Sequence, residues 1–154
     1  MTIEAGDTAP ALDLDTDAGG RTAIAGRRAV VYFYPKDDTS GCTKEGQEFT
    51  ALAADFAAAG VEVIGVSKDS LAAHGKFRAK YDLGVTLASD PDGVACEAWG
   101  VWVEKSMYGR KYMGIDRATF LVGADGHIKR VWREVKVPGH VEEVLAAARG
   151  IAAA

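Results

Sequence analysis

Two continuous apolar runs mark the first half of the chain, at residues 29–34 and 61–67. Neither run alternates between apolar and polar positions, which is typical of strands covered on both faces of a sheet. Each is followed by a segment with apolar side chains at helical spacing, residues 42–59 and 70–81. The order strand, helix, strand, helix predicts parallel pairing, with residues 29–34 in the middle of the sheet.

The ends of the chain carry a different pattern. Residues 11–15 alternate between apolar and polar positions and lead through a glycine turn to residues 21–24, which predicts an N-terminal β-hairpin. Near the other end, the Asp-Gly pair at positions 125 and 126 predicts an antiparallel hairpin. The remaining predicted elements are a short strand at 85–88, a short helix at 94–99, the two strands of that hairpin at 117–122 and 127–132, and a terminal helix at 141–153.

Length and composition fit one soluble domain. With 154 residues and 48% hydrophobic content, the chain can bury one sizeable core and is too short for two ordinary domains, so residues 1–154 are expected to form a single domain. The net charge of −4 and the lack of a long basic block argue against nucleic-acid binding. No stretch has the length of a membrane span and the N-terminus is acidic, so we expect a cytoplasmic protein without a membrane partner.

Cysteine use points to a reactive thiol. Two cysteines, Cys42 and Cys96, are too few for a disulfide framework or a cysteine-based zinc site. Cys42 lies where the predicted strand ends and the next helix begins, so unpaired N–H groups and the helix dipole would favour its thiolate. Pro35 ends the strand, Thr39 can offer a hydroxyl, and Gly41 allows a close approach of the backbone.

The pattern Pro-x-x-x-Thr-x-x-Cys, formed by Pro35, Thr39 and Cys42, resembles the active-site signature of the peroxiredoxins. The wider chain is similar to the branch called bacterioferritin comigratory protein or peroxiredoxin Q, in residues 6–10, 31–36, 99–106 and 114–122. The resemblance implies an α/β, thioredoxin-like fold of the peroxiredoxin type, with a central mixed sheet flanked by helices and an N-terminal β-hairpin. It also implies a thiol-dependent peroxidase that reduces hydrogen peroxide and organic hydroperoxides without metal, haem, flavin or other cofactor.

Four residues form the expected catalytic set. Cys42 is the attacking thiolate, and Thr39 is a hydrogen-bond donor to sulfur or peroxide unless it only caps the helix. By resemblance, Arg117 contacts the thiolate; the alternative is a surface pair with Asp116 or Asp125. Pro35 would shield the thiolate from water or simply end the strand. Glu45 is left outside this set, because an orienting role and an ordinary place in the first helical turn are equally compatible with its position.

The second half of the cycle depends on which thiol attacks the Cys42 sulfenic acid. Many members of this branch carry a resolving cysteine five residues after the first, where this chain has Gln47, and the helix predicted at 70–81 has no cysteine. Cys96 is the remaining candidate, although similar sequences carry an inert, packed cysteine there. We therefore expect a one-cysteine cycle resolved by thioredoxin, glutaredoxin or a small thiol, with a two-cysteine cycle through Cys96 as the alternative.

Some alternatives stay open at this point. Cys42 could serve a non-enzymatic redox sensor or chaperone, whereas a thioredoxin-type reductase would require a Cys-x-x-Cys pair that is absent. We expect a monomer and surface positions for the three histidines, His74, His127 and His140. An aromatic-rich stretch could form an apolar collar for organic hydroperoxides or could pack in the core; its members are Trp99, Trp102, Tyr108 and Met113.

Overall fold

The computed structural model describes residues 3–22 and 24–152, which form eight strands and five helices. The strands are β1 (Asp15–Thr16), β2 (Arg28–Phe33), β3 (Val61–Ser67), β4 (Thr86–Ser89), β5 (Trp102–Met107), β6 (Arg110–Ile115), β7 (Ala118–Val122) and β8 (Ile128–Trp132). The helices are α1 (Ser40–Ala51), α2 (Ala53–Ala58), α3 (Leu71–Tyr81), α4 (Val94–Ala98) and α5 (His140–Ala152). None of the helices in the described ranges is long and apolar enough to cross a membrane.

The main sheet has six strands in the order β1, β4, β3, β2, β7, β8. Strands β2, β3 and β4 run parallel, while β1, β7 and β8 pair antiparallel with their neighbours. The mixed sheet and the central position of β2 confirm the predicted fold class. Because β7 runs antiparallel to β2, the start of β7 lies beside the end of β2, and Ala118 pairs with Phe33.

The sheet separates two apolar clusters. Alternate side chains of β2 point to opposite faces. Val30 and Tyr32 pack with Cys42 and with helices α1, α2, α3 and α5; this side is called the Cys42 face. Val31 and Phe33 pack with Cys96 on the opposite side, which is called the Cys96 face.

The helix predicted at 42–59 is interrupted. It begins at Ser40 and divides at Leu52, which lies between α1 and α2 with φ −103° and ψ 10°. Two residues earlier, the hydroxyl of Thr50 donates a 2.7 Å hydrogen bond to the carbonyl oxygen of Gly46. Such a back-bond competes with the helical ladder and bends a helix, which accounts for the break.

One hairpin is shorter than predicted, and a second hairpin was not predicted. The N-terminal hairpin is confirmed in reduced form: Asp15 bridges Arg21, while β1 pairs with β4; Ala23 of its predicted second strand lies outside the described residues. The β5–β6 hairpin was not predicted. Its turn residues Tyr108 and Gly109 both have positive φ, 52° and 79°, and tyrosine is an uncommon residue for that backbone conformation, so the usual Asn-Gly or Asp-Gly turn signal is missing. The terminal helix begins one residue before the predicted start, and its predicted last residue lies outside the described residues.

Candidate active site

The Cys42 thiol lies in the first turn of α1, as the strand-to-helix junction predicts. Thr39 is the N-cap residue and its carbonyl oxygen accepts the first helical bond, 2.8 Å from the N–H of Thr43. The N–H groups of this turn have no acceptor within the helix, so the positive end of the helix dipole faces the sulfur. The Cys42 side chain is nearly enclosed, with 2% of its surface exposed.

Arg117 joins Cys42 to a second charged group. Its Nη2 donates to Cys42 Sγ at 3.3 Å and its Nη1 donates to Glu45 Oε1 at 2.7 Å. Strand pairing explains this position, because Arg117 directly precedes β7, whose start lies beside the end of β2. The alternative surface pairs are absent from the described residues: Asp125 pairs with Lys129, and the Asp116 carboxylate accepts from a backbone N–H.

Gly41 makes room for the guanidinium. A Cβ atom at this position would lie 3.0 Å from Arg117 Nη2, closer than about nine in ten real Cβ contacts. The absence of a side chain one residue before Cys42 therefore lets Arg117 reach the sulfur.

Glu45 is fully buried one helical turn after Cys42. Burial raises the pKa of its carboxyl to about 7, against the opposing effect of Arg117. Its Oε1 accepts from Arg117, while Oε2 has no hydrogen-bond partner among the described residues. The contact favours the orienting role that the sequence left open, and the spacing of three residues from Cys42 is the signal that pointed to it.

Thr39 and Pro35 belong to the loop between β2 and α1. The Thr39 hydroxyl donates to the carbonyl oxygen of Lys36 at 2.8 Å and makes no capping bond to the helix. The expected donation to sulfur is therefore not seen, and the hydroxyl oxygen keeps its lone pairs as acceptors. Pro35 is solvent-exposed, two residues after the last residue of β2.

The comparisons with known proteins agree with this geometry. The model of the AhpC/TSA family matches residues 5–131. The chain belongs to this family. It is 49% identical to a protein named putative peroxiredoxin bcp from Coxiella burnetii, over 94% of this chain and 98% of the relative, and 44% identical to peroxiredoxin Bcp from Bacillus subtilis, over 94% of each.

Solved structures identify the branch. A peroxiredoxin Q structure from Xanthomonas campestris superposes with a TM-score of 0.86 at 45% identity, covering 92% of this chain and 91% of that one. A second structure from the same organism, of bacterioferritin comigratory protein with a trapped intermediate or ligand, has a TM-score of 0.87 at 42% identity over 95% and 99% of the two chains. The protein is thus a peroxiredoxin of the bacterioferritin comigratory protein or peroxiredoxin Q type, a thiol-dependent peroxidase.

The loop between β2 and α1 is held by a buried polar network that the sequence did not predict. Asp37 accepts a 2.6 Å hydrogen bond from the Tyr34 hydroxyl, and its other oxygen lies 2.6 Å from His74 Nδ1. The surface position expected for His74 is wrong, because its side chain is fully buried. Asp37 and His74 are 37 residues apart, and no local pattern marks them as partners.

The other two histidines, His127 and His140, differ in burial. His127 is exposed in the β7–β8 turn, as predicted. His140 is buried, contrary to prediction, and its Nε2 lies 2.8 Å from Thr119 Oγ1. Burial lowers the pKa of His140 to about 4. Its neighbours Phe49 and Trp132 pack edge-on against the ring.

Cys96 lies in α4 on the Cys96 face, across the sheet from Cys42. Its backbone N–H donates to Asp90 at 2.8 Å and its side chain is fully buried. Burial and the Asp90 carboxylate hold the pKa of this thiol far above its ordinary value. Cys96 therefore stays a neutral thiol at physiological pH.

The aromatic-rich stretch does not form one surface. Trp99 is a core residue that packs against Phe33 and Phe120, which excludes it from an apolar collar. Tyr108 and Met113 are exposed on the β5–β6 hairpin. Across the described ranges, no group of three or more histidine, cysteine, aspartate or glutamate side chains could hold a metal ion.

Proposed function

We propose that this peroxiredoxin reduces hydrogen peroxide and organic hydroperoxides through the Cys42 thiolate. The sulfur attacks the terminal oxygen of the peroxide, an S–O bond forms, and the O–O bond breaks. Cys42 becomes a sulfenic acid, and the departing hydroxide or alkoxide takes up a proton. The Xanthomonas campestris relative described by its alkyl peroxide reduction activity supports the organic hydroperoxides as substrates.

The contact between Arg117 Nη2 and Cys42 Sγ carries this proposal. A guanidinium cannot lose its proton and presents several N–H donors in one plane. It can therefore stabilise the thiolate first and the negative charge on the departing oxygen afterwards. The 2.7 Å hydrogen bond to Glu45 fixes the orientation of that plane relative to the sulfur, which makes Glu45 a positioning residue.

Thr39 has a complementary role in substrate binding. Because its hydroxyl hydrogen is engaged by the Lys36 carbonyl, the free lone pairs of its oxygen can accept the O–H of an incoming hydroperoxide. Arg117 would bind the other side of the same O–O group, so the peroxide would be aligned with the sulfur for in-line attack. Pro35 would limit water at the outer side of the loop.

We further propose a one-cysteine cycle. The six-stranded sheet lies between the two cysteines, and Cys96 remains protonated within the core, so a disulfide between them would require the sheet to come apart. An external thiol, from thioredoxin, glutaredoxin or a small molecule, would attack the sulfenic acid instead. A second external thiol would then release Cys42 and form the oxidised reductant.

The intact mass after one equivalent of hydrogen peroxide in the presence of dimedone tests the first half-reaction. We expect one dimedone adduct, mapped to Cys42, and none in Cys42→Ser. An unchanged mass would contradict peroxide chemistry at Cys42.

Turnover with an added reductant tests the second half-reaction. Cys96→Ser is expected to keep the wild-type rate with thioredoxin as reductant. A loss of turnover, together with a Cys42–Cys96 disulfide in the wild-type protein, would replace the one-cysteine cycle by a two-cysteine cycle.

A further inference from the structure

The active-site loop at residues 35–39 is pinned to the body of the protein at Asp37. Residues on both sides of Asp37 are exposed, whereas its own side chain is 5% exposed and turned inward. Its carboxylate contacts Tyr34 and His74, and its backbone N–H donates to Asp69 Oδ2 at 2.8 Å. Asp37 is thus held through both its side chain and its backbone. The next loop residue, Asp38, is exposed but also bonded to α3, because its carboxylate accepts from Lys80 Nζ at 2.9 Å and from the Tyr81 hydroxyl at 2.6 Å.

The His74 ring is the other half of this connection. Its Nδ1 faces Asp37 Oδ2 and its Nε2 lies 2.9 Å from the carbonyl oxygen of Ala88 in β4. Nε2 carries the proton that is donated to the Ala88 carbonyl; when Nδ1 also carries a proton, the ring is an imidazolium and its pair with the Asp37 carboxylate is ionic. Burial alone would lower the pKa of His74, but the bonds to Asp37 and Ala88 and the charge of Asp69 outweigh it and raise that pKa.

Every element packed around His74 contributes to this balance. The loop supplies the Asp37 carboxylate and the β3–α3 connection supplies Asp69. Tyr34, the residue after β2, supplies its ring, whose centroid lies 6.4 Å from that of His74. Strand β4 supplies only the neutral carbonyl of Ala88. Protonated His74 thus supplies a positive charge opposite the Asp37 and Asp69 carboxylates.

We propose that His74 and Asp37 are positioning residues that hold the loop closed around Cys42, and that release of this pair limits how fast an external thiol reaches the Cys42 sulfenic acid. This inference rests on the one-cysteine cycle proposed above. The reductant sulfur must form an S–S bond to Sγ while the S–O bond breaks and hydroxide leaves to be protonated to water. A peroxide is small enough to enter the closed site. A protein thiol cannot reach the sulfur of Cys42, because this residue is only 2% exposed.

Weakening the contact between His74 and Asp37 should therefore change the rates of the two half-reactions in opposite directions. A closed loop aligns Thr39 and Cys42 for peroxide attack, so loosening it slows sulfenic acid formation. The same loosening exposes Sγ and speeds its reduction by a protein thiol. Substitution of a residue that contributes only to stability would not slow one of these reactions while speeding the other.

The test uses Asp37→Asn and His74→Gln in the full chain, with Asp17→Asn as the matched control. Asp17 is an equally buried carboxylate, 3% exposed, but it pairs with Arg78 away from the loop. Sulfenic acid formation with hydrogen peroxide is timed without reductant, and reduction of the preformed sulfenic acid is then timed with thioredoxin and with dithiothreitol. For both loop variants we expect peroxide reaction about tenfold slower, as for loss of one charged hydrogen bond, and thioredoxin reduction several-fold faster.

Asp17→Asn should leave both rates at the wild-type value. Equal changes of the two half-reactions in the loop variants, or the same divergence in Asp17→Asn, would overturn the inference. If no protein, including wild type, forms a sulfenic acid with peroxide, the proposed function fails instead.

Hydrogen exchange keeps the inference testable if Asp37→Asn does not fold. As pH rises through the folded pKa of His74, the imidazolium loses its proton and the Asp37 carboxylate loses its positively charged partner. Amide exchange of residues 36–39 in the wild-type protein, corrected for its intrinsic pH dependence, should then accelerate relative to α3. Constant relative protection of the loop across that range would contradict the proposed role of the pair.

Discussion

At the scale of single residues, the guanidinium of Arg117 connects the Cys42 sulfur to a buried acid. Its two terminal nitrogens serve two partners, Cys42 and Glu45, and this division of donors needs a planar fork. A lysine ammonium has three donors on one nitrogen and a different reach. The contact is therefore specific for arginine and not only for positive charge.

Arg117→Lys tests this specificity. The lysine can contact the sulfur or Glu45 but cannot hold both in the same geometry, so we expect the second-order rate constant with hydrogen peroxide to fall about 10- to 100-fold, equivalent to roughly 1.5–3 kcal/mol of charged hydrogen bonding. Stopped-flow tryptophan fluorescence measures this rate. Arg130→Lys, at an exposed pair with Glu143, is the matched control and should react like wild type. A wild-type rate for Arg117→Lys would show that charge alone suffices.

Gly41→Ala tests the space that the guanidinium needs. The added methyl group would lie 3.0 Å from Arg117 Nη2 and would push the side chain away from the sulfur. We expect the peroxide rate to fall about tenfold, as for one lost hydrogen bond to a charge, while the protein stays folded. Gly150→Ala adds the same methyl group in open space on α5, so it should leave the rate unchanged and stabilise the helix by up to about 1 kcal/mol. Equal rates for the two variants would contradict the steric role of Gly41.

At the scale of secondary-structure elements, the strong periodic patterns predicted most of the fold. The buried run at residues 29–34 and the helical spacing after Cys42 are local signals, and strand β2 and helix α1 lie where those signals place them. The strand-to-helix junction also predicted the thiol in the first helical turn. These features could be predicted because their physical cause lies within a few residues of sequence.

The features that could not be predicted depend on distant contacts. The β5–β6 hairpin has a polar, largely exposed pattern without the usual turn residues, so its strands resemble a loop in the sequence. His74 carries no local sign that its partner is Asp37, and the contact of Glu45 with Arg117 spans 72 residues. Burial of a polar side chain is decided by the partner that compensates its charge, and that partner is set by topology.

The N-terminus of α3 offers a prediction at this scale. Ser70 is the N-cap of the helix that carries His74, and its hydroxyl oxygen accepts from the N–H of Ala73 at 3.1 Å. Ser70→Ala removes this cap and should lower the free energy of unfolding by about 1 kcal/mol, which corresponds to a melting temperature lower by roughly 2–4 °C. Ser106→Ala, at an exposed position with no side-chain hydrogen bond among the described residues, is the control and should lie within about 0.5 kcal/mol of wild type. Equal losses in thermal unfolding would contradict the capping role.

At the scale of the whole molecule, buried titratable groups on the Cys42 face have opposite pH dependences. The pKa of Glu45 is raised from 4.5 to about 7, so the folded protein keeps a proton that the unfolded chain loses in this interval. Its contribution to stability is full below pH 4.5 and is lost as pH rises through 7. The pKa of His140 is lowered from 6.5 to about 4, so its contribution is full above pH 6.5 and is lost as pH falls through 4.

Between pH 4.5 and 6.5 the opposite effects of Glu45 and His140 on the pH dependence of stability cancel in the wild-type protein. Single variants should reveal each effect. Urea unfolding at a series of pH values gives the free energy of unfolding, and effects of all other groups cancel in the difference between variant and wild type. For Glu45→Gln, the free energy of unfolding relative to wild type should increase by about 2–3 kcal/mol as pH rises from 4.5 to 7, because the amide of the variant never becomes a buried charge. For His140→Gln, it should move in favour of the variant by a similar amount as pH falls from 6.5 to 4. A pH-independent difference for either variant would mean that the side chain is hydrated in the folded state and that burial does not control its protonation.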